Sequence, residues 1–168
     1  METLLHVGCG GAPVPPWLAD YKETRLDVDG EFNPHIIANM TNMYQVESHS
    51  YDVIYCAHSL EHLFPQDVPL ALSEFCRILK QEGRAIIIVP DLEGVSPTTE
   101  VLFESEAGPI TGLDLIYGFG KQVKTNPHMQ HHCGFVQHTL EKILDKAGFN
   151  PVVRRIGCNN LLALAVKR

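Results

Sequence analysis

The residues able to do chemistry fall into four groups. The first is Gly8, Cys9 and Gly10, inside the run Leu4-Leu5-His6-Val7-Gly8-Cys9-Gly10-Gly11. A short apolar strand that runs into glycines lets a ligand approach bare backbone, because glycine has no Cβ to hold it off. The second is Asp27, roughly 20 residues past the turn and at the expected end of another strand. Its two oxygens are acceptors only and match the two hydroxyl donors of a ribose. Asp29 is the lesser candidate and is expected on the other side. Asn39 and Met40 end a third short strand, where an amide can bond an adenine edge and a thioether can pack on its ring. The third group is His58, Glu61 and His62. His58 directly follows a strand's carboxyl end, where ligands of open α/β sheets bind, and a base is needed there only if an acceptor must lose a proton. The fourth is His128, His131, His132 and Cys133. Imidazole and thiolate are zinc ligands, but neighbouring side chains do not naturally converge and no second Cys/His cluster stands at finger spacing. No metal centre is expected, and His132 is expected to touch substrate instead.

The elements that must position these groups can be read from hydrophobic period. Strands are expected at Thr3–Val7, 24–28, 36–39, 51–56 and 85–89, the last continuously apolar and β-branched. Only residues 30–35 separate the second and third, too few for the usual parallel crossover helix. Pro13, Pro15 and Pro16 delete backbone donors after the glycine turn, so a short helix is expected only from Pro16 to about Tyr21. A longer helix is expected to start at Asp67 as its cap, to use Val68, Leu72, Phe75, Cys76 and Leu79 as its apolar face, and to stop at Gly83. Residues 91–133 have weak periodicity, with a helical turn at 101–106, and are expected to form an irregular excursion that covers a site. A helix follows from Thr139 with Leu140, Ile143, Leu144 and Ala147 on one face, ending at Gly148. Strands at 151–156 and 161–166 are joined by so short a link that a hairpin is expected, with an antiparallel last strand.

The prolines also bear on ligand class. A dinucleotide fold wants a helix N-terminus with free N–H groups to hold a pyrophosphate, and prolines at 13, 15 and 16 remove them. At 168 residues the chain has the length of one domain, 1–168, with a single core. The net charge of −7 excludes broad phosphate-driven nucleic-acid binding. Five scattered cysteines without a Cys-x-x-Cys pair indicate a reduced, cytoplasmic setting. No signal peptide is expected, since none is visible ahead of the first strand, and no apolar run reaches the ~20 residues of a membrane span.

Read in order, these segments resemble a known family. Leu5-His6-Val7-Gly8-Cys9-Gly10-Gly11, then Leu26-Asp27-Val28, then Tyr51-Asp52-Val53-Ile54-Tyr55-Cys56-Ala57-His58-Ser59-Leu60-Glu61-His62-Leu63 are similar to the ordered motifs of class I S-adenosylmethionine-dependent methyltransferases. Residues 72–84 and 135–149 extend the resemblance. The Leu-Glu-His-Leu element places it nearest the small-molecule, ubiquinone-biosynthesis-like branch. The resemblance implies an α/β three-layer, doubly wound Rossmann-like sheet of seven strands, mostly parallel. It implies S-adenosylmethionine as cofactor, with Gly8, Cys9 and Gly10 at its methionine side, Asp27 at the ribose, and Asn39 and Met40 at the adenine. Ala57 and His58 would flank the methyl-bearing sulfonium, with Glu61, His62 and His132 toward a small-molecule acceptor. Two departures stand out: the family usually has an acidic residue where His6 stands, and the helix after the second strand is missing. Many relatives also cover the acceptor with an N-terminal extension; here residues 91–133, or a second copy in a homodimer, are expected to do so. The competing expectations are a cofactor-binding module without turnover and a nicotinamide oxidoreductase.

Overall fold

The computed structural model describes residues 1–105 and 107–168. Its main sheet has seven strands: β1 (Thr3–Val7), β2 (Lys22–Asp27), β3 (Ile36–Ile37), β4 (Tyr51–Ala57), β5 (Leu79–Pro90), β8 (Phe149–Ile156) and β9 (Asn160–Lys167). A separate hairpin pairs β6 (Val101–Ser105) with β7 (Gly108–Thr111). The helices are α1 (Val68–Ile78), α2 (Gly112–Tyr117), α3 (Gly120–Thr125) and α4 (Gln137–Lys146). The sheet order is β3-β2-β1-β4-β5-β9-β8. β1 to β5 pair in parallel, and β9 runs antiparallel between β5 and β8. This is the expected Rossmann-like α/β architecture with its reversed last strand.

The central strands are near-continuous apolar runs because both of their faces are covered. On one face Leu5, Val7, Ile54, Cys56 and Ile87 pack under α1 and α4, which contribute Ala71, Leu72, Phe75, Leu140 and Leu144. On the other, Leu4, Val53, Tyr55 and Ile86 meet Leu18, Val14 and Tyr21 from the proline-rich segment after β1. That segment forms one 3-10 turn, Pro16–Leu18. No crossover helix joins β2 to β3, only the 3-10 turn Gly30–Phe32. The short link suffices because β3 pairs only with the last two residues of β2, Leu26 and Asp27, so the chain need not travel back a whole strand length.

Four expectations on the elements are corrected. Helix α1 ends at Ile78, not at Gly83. Leu79 pairs with Tyr51, residues 80–83 loop out of the ladder, and Arg84 resumes it opposite Val53. Glu82 takes the left-handed conformation there, at φ 61°. Gly83 is needed for space, since a Cβ would come within 2.9 Å of the Lys80 carbonyl oxygen. Asp67 stands at the start of α1 but makes no side-chain cap bond. Residues 101–105 are a strand rather than a helical turn, while 106 lies outside the described residues. The described residues of 91–133 hold more regular structure than their weak period implies, namely β6, β7, α2 and α3. Thr111 and Asp114 close a capping box on α2. Among the described residues no helix is long and apolar enough to cross a membrane.

A polar knot ties β1, β4 and β5 at their amino edge. The Thr3 amide donates to Asp52 Oδ2 at 2.8 Å, and Lys80 Nζ reaches both Asp52 oxygens at 2.8 Å. The Lys80 bonds first, then the Thr3 amide, hold the Asp52 carboxyl down at about 2. A carboxyl depressed on folding binds its proton less readily in the native state than in the unfolded one. Its contribution is therefore present above the unfolded value of 3.8 and is lost as the pH falls through about 2. Asp52→Asn is expected to lower the urea midpoint at neutral pH, and its gap from wild type should close between those two values. A gap that stays constant down to the lower one would contradict this.

Candidate active site at the carboxyl edge of the sheet

Strands β1, β2 and β4 end side by side, and their carboxyl ends open into a cleft of about 700 Å³. Gly8 to Ala12 form one wall, Asp27, Asp29 and Phe32 another, and Asn39 and Met40 a third. Gly8 and Gly10 have φ of 65° and 47°, the left-handed region that side chains disfavour. Their roles differ. A Cβ on Gly8 would fall 2.2 Å from Ser59 Oγ, so this glycine lets β4's exit loop pack against the turn. Ser59 fixes that approach by donating toward the Gly8 and Ala57 carbonyls. A Cβ on Gly10 would meet nothing within 4 Å, so this backbone faces the open cleft.

Asp27 is 8% exposed. Its Oδ2 accepts the Gly10 N–H at 2.7 Å and its Oδ1 the Asp29 N–H at 2.9 Å. One carboxylate therefore locks the glycine turn to the end of β2, and each oxygen keeps a further lone pair toward the cleft. Arg25 pins the same turn from below, donating to the Gly10 carbonyl at 2.6 Å and the Ala12 carbonyl at 3.0 Å. Beneath it His6, 3% exposed, holds Glu23 Oε1 at 2.9 Å. Burial lowers the His6 pKa, against the pull of Glu23. A carboxylate is thus present beside the first strand, but it comes from β2. Cys9 lies buried in the turn, and burial raises its thiol pKa.

Most of the site residues expected from sequence meet here, and some are corrected. Asp29 lines the same cleft as Asp27, because the chain has left the strand and turned into the 3-10 segment that Asp29 caps. Ala57 does not line the cleft; it packs on the opposite sheet face, with only its carbonyl bound to Ser59. His132 stacks on Phe64, ring centroids 4.3 Å apart, and Phe64 stands between it and the cleft. Residues of the segment after β5 line the cleft too: Gln122, Thr125, Asn126, His128 and Met129.

A second cavity of about 300 Å³ adjoins the first. Phe103, Ile110, Leu115 and Phe119 give it apolar walls, and Glu61 and His131 line it as well. His58, His62, Gln122 and Met129 border both cavities. His58 is left-handed at φ 51° and half exposed, with Nδ1 3.5 Å from Glu61 Oε1. The four-residue cluster near 130 divides. His128 faces the first cavity and His131 the second. Cys133 turns its thiol to the Leu60 and Glu61 carbonyls, with its pKa raised to about 11 by burial and then by Glu61. Sequence reading missed Ser59, Phe64 and the α3 residues. Only Ser59 carried a signal, as the partner an obligatory glycine must accommodate.

Comparison with known proteins places this architecture. Residues 5–87 match a family model described as a methyltransferase domain. No curated protein sequence matches the chain. A SAM-dependent methyltransferase from Methanosarcina mazei superposes with TM-score 0.68 at 15% identity, covering 99% of this chain and 92% of that one. One from Archaeoglobus fulgidus gives 0.67 at 14%, covering 99% and 86%. The Burkholderia thailandensis 1,6-didemethyltoxoflavin-N1-methyltransferase, solved with 1,6-didemethyltoxoflavin and S-adenosylhomocysteine, gives 0.64 at 16%, covering 99% and 71%. The fold is the one these methyltransferases share.

Proposed function

We propose that the chain is an S-adenosylmethionine-dependent methyltransferase acting on a small-molecule acceptor, on the ubiquinone-biosynthesis-like branch of the class I enzymes. The carrying observation is a glycine turn and a buried carboxylate at the sheet's carboxyl edge with no α-helix opening behind the turn. A pyrophosphate would want that helix N-terminus. A nucleoside joined to an amino acid does not. The open space at Gly10 and the spare lone pairs of Asp27 fit such a cofactor. The binding of S-adenosylhomocysteine by the Burkholderia relative supports the same reading.

When bound, the cofactor supplies a methyl group already activated on a sulfonium. The protein's own share is to bind and orient. Gly8, Cys9 and Gly10 would receive the methionine part, Asp27 the ribose hydroxyls, and Asn39 and Met40 the adenine. The Asn39 carbonyl oxygen is already taken by Thr41, which leaves its NH₂ as donor. The second cavity would take the acceptor, with Phe103, Ile110 and Phe119 excluding water. Holding two reactants in line can lower a barrier by about 7–11 kcal/mol. His58 borders both cavities and is the group placed to take a proton from an acceptor; Glu61 would then stabilise its cation.

Incubation with methyl-labelled cofactor and a pool of small metabolites is expected to label a small molecule, and His58→Ala to slow that transfer by roughly 10²–10⁴-fold where proton removal is required. His6, buried against Glu23 and offering no carboxylate to the cleft, favours a second reading, a cofactor-binding module. Cofactor binding without transfer to any pool would select it.

A further inference from the structure

Glu61, His62 and His131 come from segments about 70 residues apart, yet their ligating atoms all lie within 4.8 Å of one another. Glu61 sits on the 3-10 turn Leu60–His62 after β4, and His131 just after the 3-10 turn Pro127–Met129 that follows α3. What stands out is the polarity of the group. Glu61 is 1% exposed, and neither of its carboxylate oxygens has a hydrogen-bond partner among the described residues. A buried carboxylate without donors is costly. Its neighbours do not relieve it. His131 spends its Nδ1 hydrogen on the Leu115 carbonyl at 2.9 Å, which leaves a lone pair on Nε2. His62 has the Gln130 carbonyl 3.1 Å from Nδ1 and the His58 carbonyl 3.1 Å from Nε2. A neutral ring can donate to only one of them, so one nitrogen is free to leave its carbonyl and turn to a metal. The unpartnered acceptors of Glu61 and His131 therefore lie together on the wall of the second cavity, with a His62 nitrogen within reach.

We propose that this group binds one first-row divalent metal ion of the zinc class through Glu61, His62 and His131. Two imidazoles and one carboxylate are a known donor set for such ions, leaving a position open to solvent or substrate. The Leu115 carbonyl is the outer partner that fixes the His131 tautomer and ring direction, as is usual for metal-bound histidine. His58, 3.5 Å from Glu61, stands at the rim of the site. The open position would face the second cavity, so an acceptor hydroxyl, thiol or amine could be held by the metal and release its proton readily. That consequence rests on the methyl-transfer reading; the binding of the metal does not.

The test uses the untagged full chain, stripped with chelator and titrated with Co²⁺ and with Zn²⁺. One equivalent is expected to bind per chain. The cobalt form should show visible d–d absorption that Zn²⁺ displaces. Glu61→Gln and His131→Ala should each weaken binding by at least about tenfold, and His138→Ala, an exposed histidine elsewhere, should change nothing. S-adenosylmethionine thermal shifts on the same variants report their folding and the cofactor site separately. If Glu61→Gln fails to fold, His131→Ala carries the test. Absence of a bound equivalent would overturn the proposal, leaving a shared proton to satisfy Glu61. So would binding that survives both substitutions, which would belong to surface histidines.

Discussion

Gly8→Ala is expected to abolish S-adenosylmethionine binding and to lower stability by about 2–5 kcal/mol. Two causes add. The residue holds φ 65°, where a Cβ costs about 1–2 kcal/mol. The new methyl would also lie 2.2 Å from Ser59 Oγ and 2.7 Å from Ser59 Cβ, and overpacking of that kind typically costs about 1–3 kcal/mol. Either the turn or the loop after β4 must move, and both line the cleft. Thermal unfolding should fall by roughly 2–4 °C per kcal/mol for a chain of this size. Ser59→Gly added to Gly8→Ala removes the clash but not the backbone strain, so it should restore part of the stability. A single variant that keeps both wild-type stability and cofactor affinity would show that the turn is not built as described. Gly11→Ala, where a Cβ would meet only a Phe32 carbon at 3.8 Å, is the mild control.

Asp27→Ala is expected to weaken S-adenosylmethionine binding by roughly 1.5–3 kcal/mol, about 10- to 150-fold. The carboxylate does two things that the substitution removes together. It holds the Gly10 and Asp29 amides, and it offers its remaining lone pairs to the cleft. Asp27→Asn grades the effect, since the amide keeps one carbonyl oxygen for a backbone donor but turns an NH₂ toward the other backbone N–H and loses the charge. It should fall between wild type and Asp27→Ala in affinity and should also lose stability, because one backbone donor is left without an acceptor. Asp29→Ala is the comparison: it lines the same cleft but holds only the Glu31 amide. Unchanged affinity in Asp27→Ala with a loss in Asp29→Ala would move the ribose partner to Asp29.

What could be read from the sequence was what local pattern decides. β1, β4, β5 and β9 are apolar runs, α4 has a clean helical period, and the absence of a helix between β2 and β3 follows from counting residues. What could not be read was decided at long range. Residues 79–83, Leu-Lys-Gln-Glu-Gly, are good helix formers followed by a good stop. They nevertheless leave α1, because Leu79 pairs with Tyr51 and Lys80 reaches Asp52. Asp29 shares the cleft because the backbone turns at the end of β2. The division of His128, His131, His132 and Cys133 between two cavities and the loop below them depends on where α2 and α3 rest, which no local pattern in that segment encodes. The meeting of Glu61 with His131 is the extreme case, since each alone is an ordinary residue.

The central claim, that the glycine turn and Asp27 form an S-adenosylmethionine site and not a dinucleotide site, is tested most directly by calorimetric titration of the purified chain with S-adenosylmethionine and, separately, with NAD. A saturable one-to-one isotherm with S-adenosylmethionine, lost in Gly8→Ala and weakened in Asp27→Ala, with no heat from NAD, is the predicted result. No heat and no thermal shift from S-adenosylmethionine at millimolar concentration, or saturable binding of NAD in its place, would contradict it.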